Sequence, residues 1–332
     1  MEIFDEYQLL PGIRVTVTLI RHPNSLSDTL MNIKKTRALR SIEIATHCVP
    51  DLNACIPIYG DLLGYQLVNE GKLPESLTFA WAAPNMAGMP YALLQPASGA
   101  EVYLRFIETG NTGGYWPPVT QGWIATEILT TDPDALLEKF RGTTFTHIGG
   151  PADLYPSPKS ARALQMAGPA GELMYFTRIL PGGSRFGLHG AKTFVDRPFI
   201  MVVGGRSMAE IHKFYGGKLG LIVSEPDPFR IGQMSRVLGV DPRTAYPVSL
   251  ARIPGRSFLI ELEELPPYIE RRHVPEGQLP EGLAMVSFTS APLDELNLDY
   301  LAEPRTIDLL PYNGRKVAVV EGPAGEWLEL ID

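Results

Sequence analysis

The stretch IYGDLLG at residues 58–64 recurs as FYGGKLG at residues 214–220, an offset of 156 residues (58 to 214). A second stretch, GPAGE at residues 168–172, recurs unchanged at residues 322–326, an offset of 154 residues (168 to 322). Two matches that lie far apart in the chain and share nearly the same offset indicate an internal duplication with a period of about 155 residues. The duplication predicts one copy at 41–180 and a second copy at 197–332.

Each copy divides again into two smaller units with the same order of elements. Residues 40–49 read as an apolar strand, and Asp51 can cap a helix that ends at Leu63, although Pro57 should kink it. Three more strands complete this unit, and strands that begin at 123, 198 and 283 open the other three. The pattern predicts an α+β fold of four β-α-β-β-β modules, at residues 40–110, 122–180, 197–265 and 282–332.

The modules, taken in chain order, predict two domains. The first domain spans 40–180 and the second spans 197–332, and the glycine-rich segment 181–196 joins them. Residues 1–39 match none of the modules and are predicted to form an N-terminal extension. Alternating apolar and polar residues at 13–20 predict an edge strand in that extension.

Composition restricts the classes of function. Glycine (32) and proline (30) together make up 62 of 332 residues, which predicts many short turns. The formal net charge of −8 argues against a nucleic-acid partner, which would require a basic surface. No apolar run reaches the length of a membrane span, and two cysteines cannot form a disulfide framework, so Cys48 and Cys55 are expected to be buried thiols. These features predict a soluble cytoplasmic protein.

The helix that ends in Tyr-Gly-x-x-Leu-Gly and the final strand introduced by Gly-Pro-Ala-Gly-Glu resemble the vicinal oxygen chelate superfamily. This superfamily includes glyoxalase I, the bleomycin-resistance proteins and the type I extradiol dioxygenases. The resemblance covers residues 41–332 and implies paired modules that form a half-open sheet around a cleft. In the enzymes, the cleft holds a divalent metal on ligands from the first and fourth strands of each module. Since one fold supports many reactions, the resemblance indicates the fold better than the chemistry.

The resemblance also implies which residues stand at the metal-ligand positions. Glu261 and Glu329 occupy fourth-strand positions in the second copy, where Arg105 and Tyr175 stand in the first. The first strands of the second copy offer no histidine, and two carboxylates without a third ligand make a poor metal site. Glu261, Glu329 and His47 are the candidate metal ligands. The residues leave open whether the protein binds a divalent metal. No other cofactor is indicated.

Strand alternation predicts which side chains face the first cleft. Along residues 42–47, Ile42 and Ile44 share one face, while Glu43 and His47 share the other. An unpaired carboxylate buried against a helix is expensive, so the polar face is predicted to line the cleft. The same reasoning on residues 123–128 places Trp123 and Glu127 on the cleft side of their strand. The predicted first cleft contains Glu43, His47, Arg105, Trp123, Glu127 and Tyr175; its counterpart in the second copy is mostly apolar.

These residue types suggest acid/base chemistry next to a carbonyl or a phenol. His47 or Glu127 would move a proton, Arg105 would clamp a carboxylate or enolate oxygen, and Tyr175 would donate to an oxyanion. Trp123 would provide an apolar wall, and Glu43 would join the substrate-binding set. Each residue also has a structural interpretation, in which His47 is a core histidine, Arg105 forms an ion pair with a glutamate, and Tyr175 only packs.

The leading hypothesis is a glyoxalase-like lyase or isomerase that acts on a small oxygenated, aromatic substrate by acid/base chemistry, with or without metal assistance. The alternatives are a non-catalytic small-molecule binding or resistance protein and an extradiol-type dioxygenase. The expected partner is a small-molecule substrate, with no nucleic acid and no membrane, and a homodimer stays open.

Overall fold

The computed structural model describes residues 37–110, 117, 119–184, 186–253 and 257–332. In this part of the chain, seventeen strands and five short α-helices form the four predicted modules. The edge strand predicted at 13–20 lies outside the described residues. The fold is therefore α+β, as the sequence predicts, with few helices and long sheets.

The elements follow the modules along the chain. The first module contains β1 (Leu39–Val49), α1 (Leu52–Leu63), β2 (Tyr65–Lys72), α2 (Glu75–Ala80), a 3-10 turn (Pro84–Met86), β3 (Pro90–Pro96) and β4 (Tyr103–Glu108). The second contains β5 (Gly122–Thr130), α3 (Pro133–Phe140), β6 (Thr146–Asp153), β7 (Arg162–Ala167) and β8 (Leu173–Arg178). The third contains β9 (Val195–Gly205), α4 (Met208–His212), a π-helical turn (Lys213–Lys218), β10 (Ile222–Val223), β11 (Asp227–Phe229), α5 (Gly232–Val237), β12 (Tyr246–Arg252) and β13 (Leu259–Glu264). The fourth contains β14 (Leu283–Ser290), a 3-10 turn (Leu293–Glu295) at the helix position, β15 (Arg305–Ile307), β16 (Arg315–Glu321) and β17 (Trp327–Ile331).

The predicted helix caps are present at the module helices. The Asp51 carboxylate accepts the backbone N–H of Asn53 at 2.8 Å, and α1 continues through Pro57 to Leu63. Gly64 ends this helix with φ 73°, a left-handed conformation that glycine adopts without the cost that a Cβ would bring. Asp132 caps α3 in the same way as Asp51 caps α1. These local signals fix where each helix begins and ends.

The strands form two large sheets that pair the modules in an order different from the chain order. Sheet one contains the first and fourth modules, and its centre is the antiparallel pair β1–β14. Sheet two contains the second and third modules, and its centre is the antiparallel pair β5–β9. Each sheet curls around a filled concave side, which we call interior one for sheet one and interior two for sheet two. Residues predicted to share one cleft are therefore divided between two sheets.

The largest apolar cluster lies on the other faces of the sheets and includes residues of α1, α3 and α4. In each half of the chain, one tyrosine–glutamate pair joins consecutive modules across this core. Tyr59 of α1 donates to the Glu172 carboxylate before β8, and Tyr215 donates to Glu326 before β17, where the distance is 2.9 Å. Each carboxylate also accepts, at 2.8 Å, the backbone N–H of the alanine two residues earlier. The two recurring stretches thus provide the two sides of one structural contact.

Both cysteines are buried free thiols, which confirms that prediction. Burial is the largest influence on both, and it raises the pKa of each thiol to about 12. Within the described residues, no helix combines the length and the apolar character needed to cross a membrane.

Candidate functional site

Interior one brings together four residues, one from the first and one from the fourth strand of each of its modules. Thr46 in β1 is the register partner of Arg105 in β4, and Ser287 in β14 is the register partner of Glu329 in β17. The Arg105 guanidinium lies 3.3 Å from the Glu329 carboxylate, and it donates to the Thr46 hydroxyl at 2.8 and 3.1 Å. Arg105 is 2% exposed and Glu329 is fully buried, so the centre of interior one is a buried ion pair.

Aromatic and hydroxyl donors complete the partners of this ion pair. Trp81, which follows α2, donates its indole N–H to Glu329 at 2.5 Å, and the Tyr312 hydroxyl donates to the same oxygen at 2.8 Å. Ser287 and Arg105 donate to the other oxygen. Glu329 therefore accepts four hydrogen bonds, the number that a carboxylate's lone pairs allow. Burial alone would lower the pKa of Arg105, but the neighbouring Tyr312 and Glu329 hold it above its usual value.

Interior two has the same strand positions but different side chains. Glu261 of β13 is the register partner of Val202 of β9, and these residues correspond to Arg105 and Thr46 at the offset of 156 residues. Tyr175 of β8 is the register partner of Glu127 of β5. Tyr175 follows the first GPAGE stretch at the same distance as Glu329 follows the second, so Tyr175 corresponds to Glu329 of the fourth module. Interior two thus has acids where interior one has an arginine and a serine.

Glu127 is a strongly perturbed carboxyl group in interior two. Its side chain is 6% exposed and accepts a hydrogen bond from the Thr177 hydroxyl on β8. Burial, followed by the nearby charge of Glu261, raises the pKa of Glu127 to about 8. The group is thus poised to exchange a proton close to neutral pH.

A second acidic residue lies beside Glu261 on the same face of β13. The two carboxyl groups influence each other, as side chains two residues apart on one strand can. Burial raises the pKa of both, and the charge of Glu261 raises that of Glu263 further. In the described part of the chain, no arginine, lysine or histidine forms an ion pair with either of them or with Glu127.

The rest of interior two is apolar and aromatic. Tyr175 is half-buried and packs against this cluster. Its neighbours in the cluster include Ile148, Ile231, Met234, Leu238, Tyr246 and Val248. Acidic groups surrounded by such side chains are the groups that proton transfer and contacts to a small apolar or aromatic molecule would use.

His47 and Trp123 face neither interior, which corrects their predicted place in the cleft. β-Bulges interrupt β1, and its interior face carries Thr46 rather than His47. His47 packs between the sheets, with its Nε2 3.4 Å from Thr126 Oγ1, and burial lowers its pKa to about 3. Trp123 packs in the same core and donates to the backbone oxygen of Trp327 at 2.8 Å. Neither residue is placed to act on a ligand in either interior.

Glu43 lies apart from the other candidates, at a groove of about 790 Å³ between strand ends. Arg315 binds its carboxylate through both terminal nitrogens, and one of these contacts is 2.9 Å. Burial raises the pKa of Glu43, although Arg315 acts in the opposite direction. Glu43 therefore forms an ion pair with Arg315, and the charge of Glu329 in interior one also contributes to its raised pKa.

The residues present do not fit the metal that the fold family implies. In interior one, the four lone pairs of Glu329 are engaged and the Arg105 cation already faces the carboxylate, so a metal ion would meet repulsion. In interior two, Val202 takes one of the four strand positions. Within the described residues, no three His, Cys, Asp or Glu side chains are arranged to hold a metal ion.

Sequence reasoning missed several residues of both interiors. Strand alternation predicts Ser287 in the cleft of the second copy beside Glu329, but it places Thr46 on the opposite face of β1, where the bulges defeat it. Trp81 and Tyr312 come from connecting segments, for which the repeat gave no signal. Glu263 stands two residues after Glu261 on one strand, and alternation could have identified it.

No protein-family model matches this chain. No curated protein matches it either. Among solved structures, glyoxalase I from Zea mays matches with a TM-score of 0.56 and 15% identity, over 88% of this chain and 92% of that chain. A protein named "putative dioxygenase", from Bacillus subtilis subsp. subtilis str. 168, matches with a TM-score of 0.57 and 11% identity, over 89% and 86%.

Identities this low show a shared fold and leave the reaction open. Both matches extend over most of the chain, so the likeness includes all four modules rather than one. These matches agree with the α+β modules and with their pairing into two curled sheets. The chain therefore adopts the vicinal oxygen chelate fold in a four-module form.

Proposed function

We propose that the chain is a glyoxalase-like enzyme, a lyase or isomerase, that carries out acid/base chemistry on a small oxygenated substrate in interior two. The observation that carries this proposal is the buried Glu127 carboxyl group, with its pKa raised to about 8 by burial and by Glu261. A general base works best when its pKa lies near the working pH. The apolar and aromatic lining of interior two supports an aromatic substrate.

Glu127 acts as the general base in this proposal. Its carboxylate removes a proton from a carbon next to a carbonyl, and Thr177 holds the carboxylate in place by its hydrogen bond. Tyr175, the register partner of Glu127, donates to the oxyanion that develops on the substrate. Return of the proton to a different atom completes an isomerisation, and loss of a leaving group completes a lyase reaction.

A non-catalytic binding protein is the second candidate. One observation favours it, namely that Glu127, Glu261 and Glu263 share interior two without an ion-pair partner among the described residues. A cationic ligand would relieve the repulsion between these groups. The dioxygenase alternative gains no comparable support, because the described residues of the two interiors do not include the donor set of an iron centre.

A pH profile of turnover separates the two candidates. A panel of small oxygenated and aromatic compounds is first screened for binding by thermal shift and then for conversion. For a converted compound, kcat/KM is expected to rise about tenfold per pH unit below about 8 and to level off above it, because the base is the ionised form of Glu127.

The Tyr175→Phe variant is expected to keep this inflection and to lower the plateau by about 10²- to 10³-fold, the effect of losing one oxyanion donor. Tight binding of a cationic compound with no conversion at any pH would instead favour the binding protein. A pH-independent kcat/KM would contradict the role of Glu127.

A further inference from the structure

We infer that the Arg105 guanidinium is a built-in cation at the centre of interior one, where it takes the place of a metal ion and closes this interior to ligands. Arg105 and Glu329 stand on the fourth strands of two different modules, and Thr46 and Ser287 stand beside them on the first strands. The four strands that would supply the ligands of a chelate thus supply one cation, one anion and two hydroxyl groups.

The donors and acceptors of this cluster satisfy one another. The guanidinium donates to the Thr46 hydroxyl, to the Tyr312 hydroxyl and to Glu329. It also lies 4.6 Å from the centroid of the Trp81 ring, within the range of a cation–π contact. Glu329 accepts four hydrogen bonds, so its carboxylate has no free lone pair for a metal.

Burial shows that this cluster is closed. Thr46, Ser287, Trp81, Tyr312 and Glu329 each have no measurable exposure, and Arg105 is 2% exposed. Trp81 and Tyr312 cover the ion pair from connecting segments, so a ligand would have to displace both aromatic rings. Interior one would have this structural role whatever reaction interior two carries out.

Removal of the cation alone tests the inference through stability. Arg105→Met leaves the Glu329 carboxylate buried without its counter-ion, which is expected to shift the unfolding equilibrium by at least about 100-fold toward the unfolded state. The double variant Arg105→Met/Glu329→Leu removes both charges and is expected to recover at least about tenfold of that loss. If Arg105→Met does not fold, folding of the double variant is the expected recovery. Additive losses in the double variant, or its failure to fold, would overturn the inference.

Replacement of the cation from solution gives a second readout. Arg105→Ala leaves a space of guanidinium size beside Glu329, so millimolar methylguanidinium chloride is expected to raise the Tm of this variant by several degrees and to leave the wild-type Tm unchanged. MnCl₂ is tested in parallel on the wild-type protein and on Glu329→Gln. Manganese binding to the wild-type protein that disappears in Glu329→Gln would overturn the inference, because interior one would then accept a metal despite Arg105.

Discussion

Glu127→Gln is expected to lower kcat/KM by about 10²- to 10⁴-fold, the usual contribution of a positioned general base. Glutamine matches the shape of glutamate, and its amide oxygen can still accept the hydrogen bond from Thr177. It cannot accept the substrate proton at any pH. The rise of kcat/KM toward pH 8 should therefore disappear with the activity, since Glu127 is the group that titrates there.

The equivalent strand position in sheet one provides a matched control for this variant. Ser287 is the register partner of Glu329 in sheet one, as Glu127 is the register partner of Tyr175 in sheet two. Ser287→Ala removes a hydrogen bond to a buried carboxylate, which should lower stability by about 1.5–3 kcal/mol. Measured well below its Tm, this variant should keep wild-type turnover. Equal activity losses in Ser287→Ala and Glu127→Gln would mean that interior two has no special role.

Gly168→Ala and Gly322→Ala are expected to lower the free energy of unfolding by about 3–5 kcal/mol each. A Cβ at either glycine would lie 2.0 Å from a carboxylate oxygen, of Glu172 in one copy and of Glu326 in the other. The end of a glutamate side chain can ordinarily move away at little cost. Here the carboxylate is buried and held by a tyrosine hydroxyl and a backbone N–H, so its displacement leaves several polar groups unpaired.

Urea unfolding measures the loss of unfolding free energy in these variants. Two control variants provide a smaller expected loss and a nearly neutral one. Tyr59→Phe removes one hydrogen bond to Glu172 and should cost about 1.5–3 kcal/mol, less than Gly168→Ala. Gly232→Ala introduces a Cβ that meets nothing within 4 Å and should be nearly neutral. A nearly neutral Gly168→Ala would show that the turn holds its shape without the buried carboxylate.

The module fold could be predicted from the sequence because its signals are local. Asp51 and Gly64 delimit the first helix, and the two repeated stretches locate equivalent turns in each copy. The repeated residues proved to be structural, since Tyr59 binds Glu172 and Tyr215 binds Glu326. A strong repeat therefore gave the architecture and no direct information about the site.

The composition of each interior could not be predicted, because it depends on which modules share a sheet. Chain order grouped Arg105 with Glu127, whereas the sheets place Arg105 with Glu329 and Glu127 with Glu261. Strand alternation also failed on β1, where bulges interrupt the regular period and His47 packs in the core. Pairing between distant strands is a tertiary property that local sequence signals do not encode.

The proton affinity of Glu127 tests most directly the claim that interior two holds the reactive group. Nuclear magnetic resonance of protein labelled with ¹³C at the glutamate carboxyl carbons follows each group with pH and needs no substrate. One resonance should titrate near pH 8, apart from those of Glu172 and Glu326 near pH 7, and it should be missing in Glu127→Gln. A Glu127 resonance that titrates near 4.5, as an exposed glutamate does, would contradict the account.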